Sequence, residues 1–352
     1  MTDNLKRDPE FLLGDLLKNV SRSFYLTLRV LPDGLRVPIG LAYLLARAAD
    51  TIADTELVSP GQRLEHLLSF RAQVNGAIDP VALRAIEAAL TVQQKDSHER
   101  VLLQSLEPAL AILPQLSERD RTEVRGVVTT LTQGMEFDLR TFPNESSGQL
   151  AALNTLAELD RYIYLVAGCV GEFWTKMTVA HSPALREWNV AEMSACGIRF
   201  GKALQLTNVL RDCPKDLRIG RCYLPNELLS KVGLAPEDLL KPENAARARP
   251  VLCELLGVAL GHFREAERYL LAIPNRSGRL RLACLWPVLI GLATLQKQAE
   301  NKEWLDPQRV SKVSRSYVKR TLALSLPAVG SDTLVRGWID GMITDVEKKL
   351  DF

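Results

Sequence analysis

Two stretches of the chain repeat one device. In "YLLARAADTIADT", Tyr43, Arg47, Asp50 and Asp54 are spaced four, three and four apart, and in "QLTNVLRDCPKDLRIGRCYLP", Gln205, Asn208, Asp212 and Asp216 run three, four and four apart. On an α-helix each set forms one stripe, with paired carboxylates about 40° apart around the axis. Thr51 aside, the other residues within the first set (Leu44, Leu45, Ala46, Ala48, Ala49, Ile52 and Ala53) are apolar. Much of that helix is therefore expected to be buried, where two carboxylates need a cation or a retained proton. Both stripes are rich in oxygen and lack histidine. Hard-oxygen donors point to Mg²⁺ rather than zinc, and Mg²⁺ binds through one or two carboxylates plus substrate phosphate. Arg47 and Arg211 lie within a turn of the aspartates, and Arg218 and Arg221 follow in an expected flap-like loop. Carboxylate-held metal and arginines converge in this way on a diphosphate. One aspartate pair beside an arginine is usually a solvated ion pair; two pairs, each on a polar stripe of an apolar helix, make that reading much weaker. Pro214 falls inside the second pair and disfavours helix at Cys213, so a kink or frayed end is expected there.

The elements that must position these residues are helical. Apolar spacing and start and stop signals predict helices over 9–19, 21–31, 36–55, 60–75, 80–93, 98–115, 118–141, 149–180, 189–212, 246–273, 277–301, 307–325 and 331–349. No long Ser/Gly/Pro linker divides them, so a single large all-α domain over 1–352 is expected. With 352 residues, 47% hydrophobic, 24% charged and a net charge of +2, the chain has no global charge that would draw nucleic acid. Six cysteines without CxxC pairing are expected as reduced thiols in the cytoplasm, and four scattered histidines offer no zinc spacing. "MTDNLKRDPEF" lacks a signal-peptide core, "DVEKKLDF" is not a tail anchor, and no uninterrupted apolar run reaches the ~20 residues of a span. Any work on lipid is therefore expected from the membrane surface, as a peripheral contact.

Five blocks carry a likeness: "SRSF" (Ser21 to Phe24), "YLLARAADTIAD" (Tyr43 to Asp54), "GMEFDLR" (Gly134 to Arg140), "YIYLVAGCVG" (Tyr162 to Gly171) and "QLTNVLRDCPKDLRIGRCYLP". In this order and spacing the chain resembles the squalene and phytoene synthase family, the head-to-head isoprenoid synthases, over nearly its whole length. The resemblance implies an all-α isoprenoid synthase domain with a central hydrophobic cavity. "SRSF", "PVLIGLATL" from Pro287 and "KVSR" (Lys312 to Arg315) look like the squalene branch, whereas "GMEFDLR" and "DLRIGRCYLP" look like the phytoene branch. The family's motifs often carry a further acid inside each aspartate pair, where this chain has Ala53 and Lys215.

The resemblance implies two farnesyl diphosphates as substrate, joined to presqualene diphosphate and then reduced by NADPH to squalene. Dehydrosqualene or phytoene chemistry, without NADPH, is the alternative. It implies Asp50, Asp54, Asp212 and Asp216 as Mg²⁺ ligands, with Arg47, Arg211 and Arg221 on the leaving pyrophosphate. Phe24, Tyr43 and Tyr162 match pocket positions, and Tyr162 also suits proton removal. Gln205, Asn208 and Arg218 complete the diphosphate side, and Lys312 and Arg315 meet the NADPH phosphates in the absence of any GxGxxG fingerprint. Ser21, Arg22 and Ser23 are expected to open a helix, where a serine cap and a phosphate site are both sufficient readings. Val166, Ala167, Val170 and Gly171 form a small-residue strip that suits either a farnesyl chain or close helix packing.

Overall fold

This computed structural model describes residues 8–21, 24–55, 58–92, 94–142 and 147–350. Side-chain caps set many of the helix starts. α1 (Asp33–Asp54) follows Pro32. α2 (Pro60–Asn75) begins at Ser59, whose hydroxyl accepts from the Gln62 N–H while the Gln62 side chain accepts from the Ser59 N–H. Asp79 and Asp96 cap α3 (Pro80–Thr91) and α4 (Ser97–Leu103) in the same sense. The predicted helix over 98–115 is broken into α4, Leu106–Leu110 and a 3₁₀ turn at Leu113–Gln115. Pro108 accounts for the break, because it cannot donate one turn back to Gln104. α5 (Glu118–Thr141) matches its expected span.

Contacts cluster into two units, one holding residues up to Leu139 with Lys176–Pro183, the other Arg140–Thr175 with the chain from Ala184 onward. In the first, α1 packs on α2, α4 and Leu106–Leu110. Leu41, Leu44, Leu45, Ala49 and Ile52 are fully buried there, each of the larger ones worth roughly 1.5–3 kcal/mol of transfer energy.

The second unit opens with the two-residue strand β1 (Ala151–Ala152) and α6 (Leu156–Ile163), capped by Thr155. One π turn, Tyr164–Gly168, joins α6 to α7 (Cys169–His181). The predicted helix over 149–180 therefore begins later and carries this wider turn. α8 (Val190–Asp216) is the longest element of the unit. β2 (Arg221–Cys222) pairs with β1 in parallel, Ala151 opposite Arg221. α9 (Arg249–Ala272), α10 (Gly278–Glu300), α11 (Arg315–Ala328) and α12 (Asp332–Glu347) complete it. α8 packs on α9, α10 and the π turn. α10 is long and apolar enough to cross a membrane, but 72% of its most apolar window is buried inside the molecule, as suits a core helix. α11 starts eight residues later than predicted, where Ser314 accepts from the Tyr317 N–H.

Candidate active site

α1 presents the first aspartate pair. Arg47 Nη1 donates to Asp50 Oδ2 and its Nη2 donates to Glu99 Oε1. Glu99 is itself fixed in the first turn of α4, with its N–H on the Asp96 cap and its Oε2 accepting from Gln94 Nε2 at 3.3 Å. Burial works against the Arg47 charge, but Asp50 and Glu99 outweigh it and hold the guanidinium above its ordinary pKa. The Asp50 side chain keeps 38% of its surface open, and Asp54, the last residue of the helix, is exposed. Tyr43 is half-buried one turn before Arg47. Ala53 is only 4% exposed, so a third acid at that position would enter the core. Ser21 closes the helix Leu17–Ser21 rather than opening one, and its buried hydroxyl has no partner among the described residues. Arg22, Ser23 and the Phe24 side chain lie outside the described residues.

α8 presents the second pair, and the expected frayed end is absent: the helix continues through Pro214 to Asp216. The reason is tertiary. Proline removes the N–H that would donate to the Leu210 carbonyl, and the buried Gln298 amide of α10 donates to that oxygen instead, at 3.0 Å. Gln205, Asn208, Asp212 and Asp216 thereby share one half-buried stripe. Arg211 Nε donates to Asp212 Oδ1 at 2.9 Å, and Lys215 is exposed. Beyond the helix, the exposed Arg218 donates to the Pro214 carbonyl. Gly220 turns the chain at φ 84°, a left-handed value that favours glycine. Arg221 is then pinned in β2 against β1, so this part of the expected flap is anchored.

Tyr162, 5% exposed, stacks on Tyr223 with ring centroids 4.7 Å apart and planes at 20°. Phe142 meets Tyr223 edge-on at 4.9 Å. Sequence reasoning missed Phe142 and Tyr223, although "GRCYLP" held the second. The small-residue strip has a packing role: a Cβ on Gly171 would sit 1.8 Å from the Gly197 carbonyl oxygen, and one on Gly201 would sit 2.2 Å from that of Ala167. Gly197 and Gly201, spaced four apart on α8, were the unread half of this contact. Val166 and Ala167 are half-exposed and Val170 is 36% exposed, so one flank of the strip stays open. Lys312 and Arg315 are exposed, with no ion pair among the described residues.

Among the described residues no three His, Cys, Asp or Glu side chains gather around one point. Each aspartate pair is an all-oxygen, solvent-reachable donor set, which fits a Mg²⁺ ion completed by phosphate oxygens and water. The six cysteines are free, and burial pushes the Cys169, Cys222 and Cys284 thiols up to about 12, leaving them protonated at neutral pH. A cleft of about 490 Å³ between α3, α4 and Leu106–Leu110 is lined by Arg84, Glu87, Gln104 and Glu107 among others, and by none of the predicted site residues.

The chain has relatives among known proteins. The chain is 28% identical over 291 residues to the squalene synthase of Saccharomyces cerevisiae, covering 83% of this chain and 62% of that one. It thus spans about three fifths of that relative's length. It is 29% identical over 272 residues to a bifunctional lycopene cyclase/phytoene synthase of Pyrenophora tritici-repentis, covering 76% of this chain and 43% of that one. Among solved structures, a complex of TcSQS with the ligand E5700 superposes with a TM-score of 0.76 at 20% identity, over 98% of this chain and 99% of that one. The fold is the all-α isoprenoid synthase fold. The model of the squalene/phytoene synthase family matches residues 17–316, and the chain belongs to that family.

Proposed function

We propose that residues 1–352 act as one Mg²⁺-dependent prenyltransferase domain that joins two farnesyl diphosphates head to head to presqualene diphosphate and reduces it with NADPH to squalene. The observation that carries this reading is the unbroken Gln205–Asn208–Asp212–Asp216 stripe, maintained past Pro214 by Gln298. It repeats the Arg47–Asp50–Asp54 stripe of α1. Asp50, Asp54, Asp212 and Asp216 would hold the Mg²⁺, which when bound supplies Lewis-acid charge to the leaving pyrophosphate. Arg47, Arg211 and Arg221 donate to the phosphate oxygens as the carbon–oxygen bond breaks. Ser21, Arg22, Ser23, Gln205, Asn208 and Arg218 orient the diphosphates. Phe24, Tyr43 and Tyr162 are the aromatic residues assigned to the allylic cation, and the open flank of Val166, Ala167 and Val170, next to the Gly171 contact, leaves a prenyl chain room in a water-poor wall. Tyr162, held by Tyr223, assists the proton loss that closes the cyclopropane. Lys312 and Arg315, exposed and without an ion pair among the described residues, suit the phosphates of the hydride donor. Apolar substrate chains and a hydrocarbon product favour a cytoplasmic enzyme working at a membrane surface.

A second reading, a phytoene or dehydrosqualene synthase that needs no NADPH, is favoured by the identity to the phytoene synthase relative. Incubation with farnesyl or geranylgeranyl diphosphate and Mg²⁺, each with and without NADPH, separates the two. Squalene from farnesyl diphosphate with NADPH alone is the expected product. The same hydrocarbon with and without NADPH overturns the reductive step.

A further inference from the structure

α11 is apolar on both sides. Toward the protein it turns Thr321, Ser325 and Ala328, at 3%, 0% and 9% exposure, with Tyr317, Val318 and Leu322 half-buried beside them. Trp286 Nε1–H of α10 donates to Ser325 Oγ at 2.9 Å, and that hydroxyl donates on to the Leu322 carbonyl at 2.7 Å. Its solvent side instead carries Leu324 and Leu326, 50% and 59% exposed, beside the exposed Ala323 and Pro327. A single exposed leucine is ordinary. Two exposed leucines beside an exposed alanine and proline on one short helix make an outward apolar patch, which marks a contact surface.

The charge around these leucines says what the contact is with. Residues 307–331 contain Arg309, Lys312, Arg315, Lys319 and Arg320 and no Asp or Glu. Arg309 pairs with Glu303 and Asp306. The other four are exposed and make no ion pair among the described residues. Lys319 and Arg320 lie about one turn before Ala323 and Leu324, so a cationic end runs into an apolar end on the same solvent side. An anionic lipid surface meets both needs, since leucines enter the acyl boundary while amines and guanidiniums sit among headgroup phosphates.

We propose that α11 is the surface by which this chain docks on an anionic membrane, inserting Leu324 and Leu326 and seating Lys319 and Arg320 on lipid phosphates. The proposal is independent of the reaction assigned above. It is tested by co-sedimenting the full chain with vesicles of phosphatidylcholine alone or mixed with phosphatidylglycerol. Binding is expected only to the mixture, and it weakens as salt is added. Each cation lost lowers partitioning roughly fivefold, so Lys319→Gln with Arg320→Gln lowers it by roughly twenty-five-fold. Leu324→Ser with Leu326→Ser lowers it at least about tenfold. Thermal unfolding and turnover in detergent stay as in the parent, because all four side chains are exposed. Equal binding to both vesicle types, or parent-like vesicle binding by the leucine variant, overturns the proposal. Loss of a dimer in the leucine variant with vesicle binding intact assigns the leucines to a second copy instead. Release of bound protein by NADPH, with the leucines immaterial, assigns the cations to the dinucleotide, and either result defeats a lipid site.

Discussion

The two acidic helices reach the same i, i+4 spacing by different routes. In α1 the local sequence suffices: an apolar helix ends at Asp54, and Arg47 is shared between Asp50 of its own helix and Glu99 of α4. In α8 the local sequence argues against the geometry, because Pro214 lies between Asp212 and Asp216. A side chain from α10, 84 residues beyond Pro214, supplies the missing donor. The first pair is written into its own helix, whereas the second exists only once α8 and α10 have packed. The position inside each pair differs as well, Ala53 facing the core and Lys215 facing solvent.

That contrast is sharpest at those two positions. Ala53→Asp places an uncompensated carboxylate in the core and is expected to cost about 3–5 kcal/mol, whereas Lys215→Asp shifts stability by less than about 0.5 kcal/mol. Parallel urea melts of the two variants check this, and equal losses break the comparison. Acid is expected to strike the second helix through His262 of α9, whose ring nitrogens are buried with no partner among the described residues. Burial first, then the Arg199 and Lys202 charges of α8, push its pKa down from 6.5 to about 4, against the partial counteraction of Asp160 and Glu265. As pH falls the unfolded chain takes up this proton first. The His262 contribution is therefore complete above about pH 6.5 and is lost progressively down to about pH 4, a change of roughly 3 kcal/mol. His262→Leu is expected to flatten the melting temperature across that window, and an unchanged acid slope contradicts the assignment. The smallest effect isolates the proline repair. Gln298→Leu strands the Leu210 carbonyl and is expected to cost about 1–3 kcal/mol. Adding Pro214→Ala restores a backbone donor and recovers most of it, and simple additivity in this double-mutant cycle denies the coupling.

The same distinction explains what could be read from the sequence. α2 and α5 fall at their expected spans, the first because Ser59, Pro60 and Gln62 specify its start within four residues. The aspartate stripes, and the family itself, were visible as spacing and block order. Glu99, Gln298 and the Phe142–Tyr162–Tyr223 stack were not, since each acts across a long sequence separation. Gly197 and Gly201 carried a readable spacing, but their partners Gly171 and Ala167 only become evident in the packed helices. The π turn at Tyr164–Gly168 leaves no periodic signature, and the one-turn break before Pro108 was masked by the apolar residues around it.

The proposed reaction requires each aspartate pair for the departure of pyrophosphate from an allylic substrate. Its most direct test is the initial rate of pyrophosphate release from farnesyl diphosphate with Mg²⁺, measured for the parent chain, Asp50→Asn, Asp212→Asn and the double variant. Each single change is expected to lower the rate by about three powers of ten or more, with the double variant little worse than either, as for groups that work as a unit. A folded Asp50→Asn or Asp212→Asn protein that releases pyrophosphate at the parent rate would contradict it.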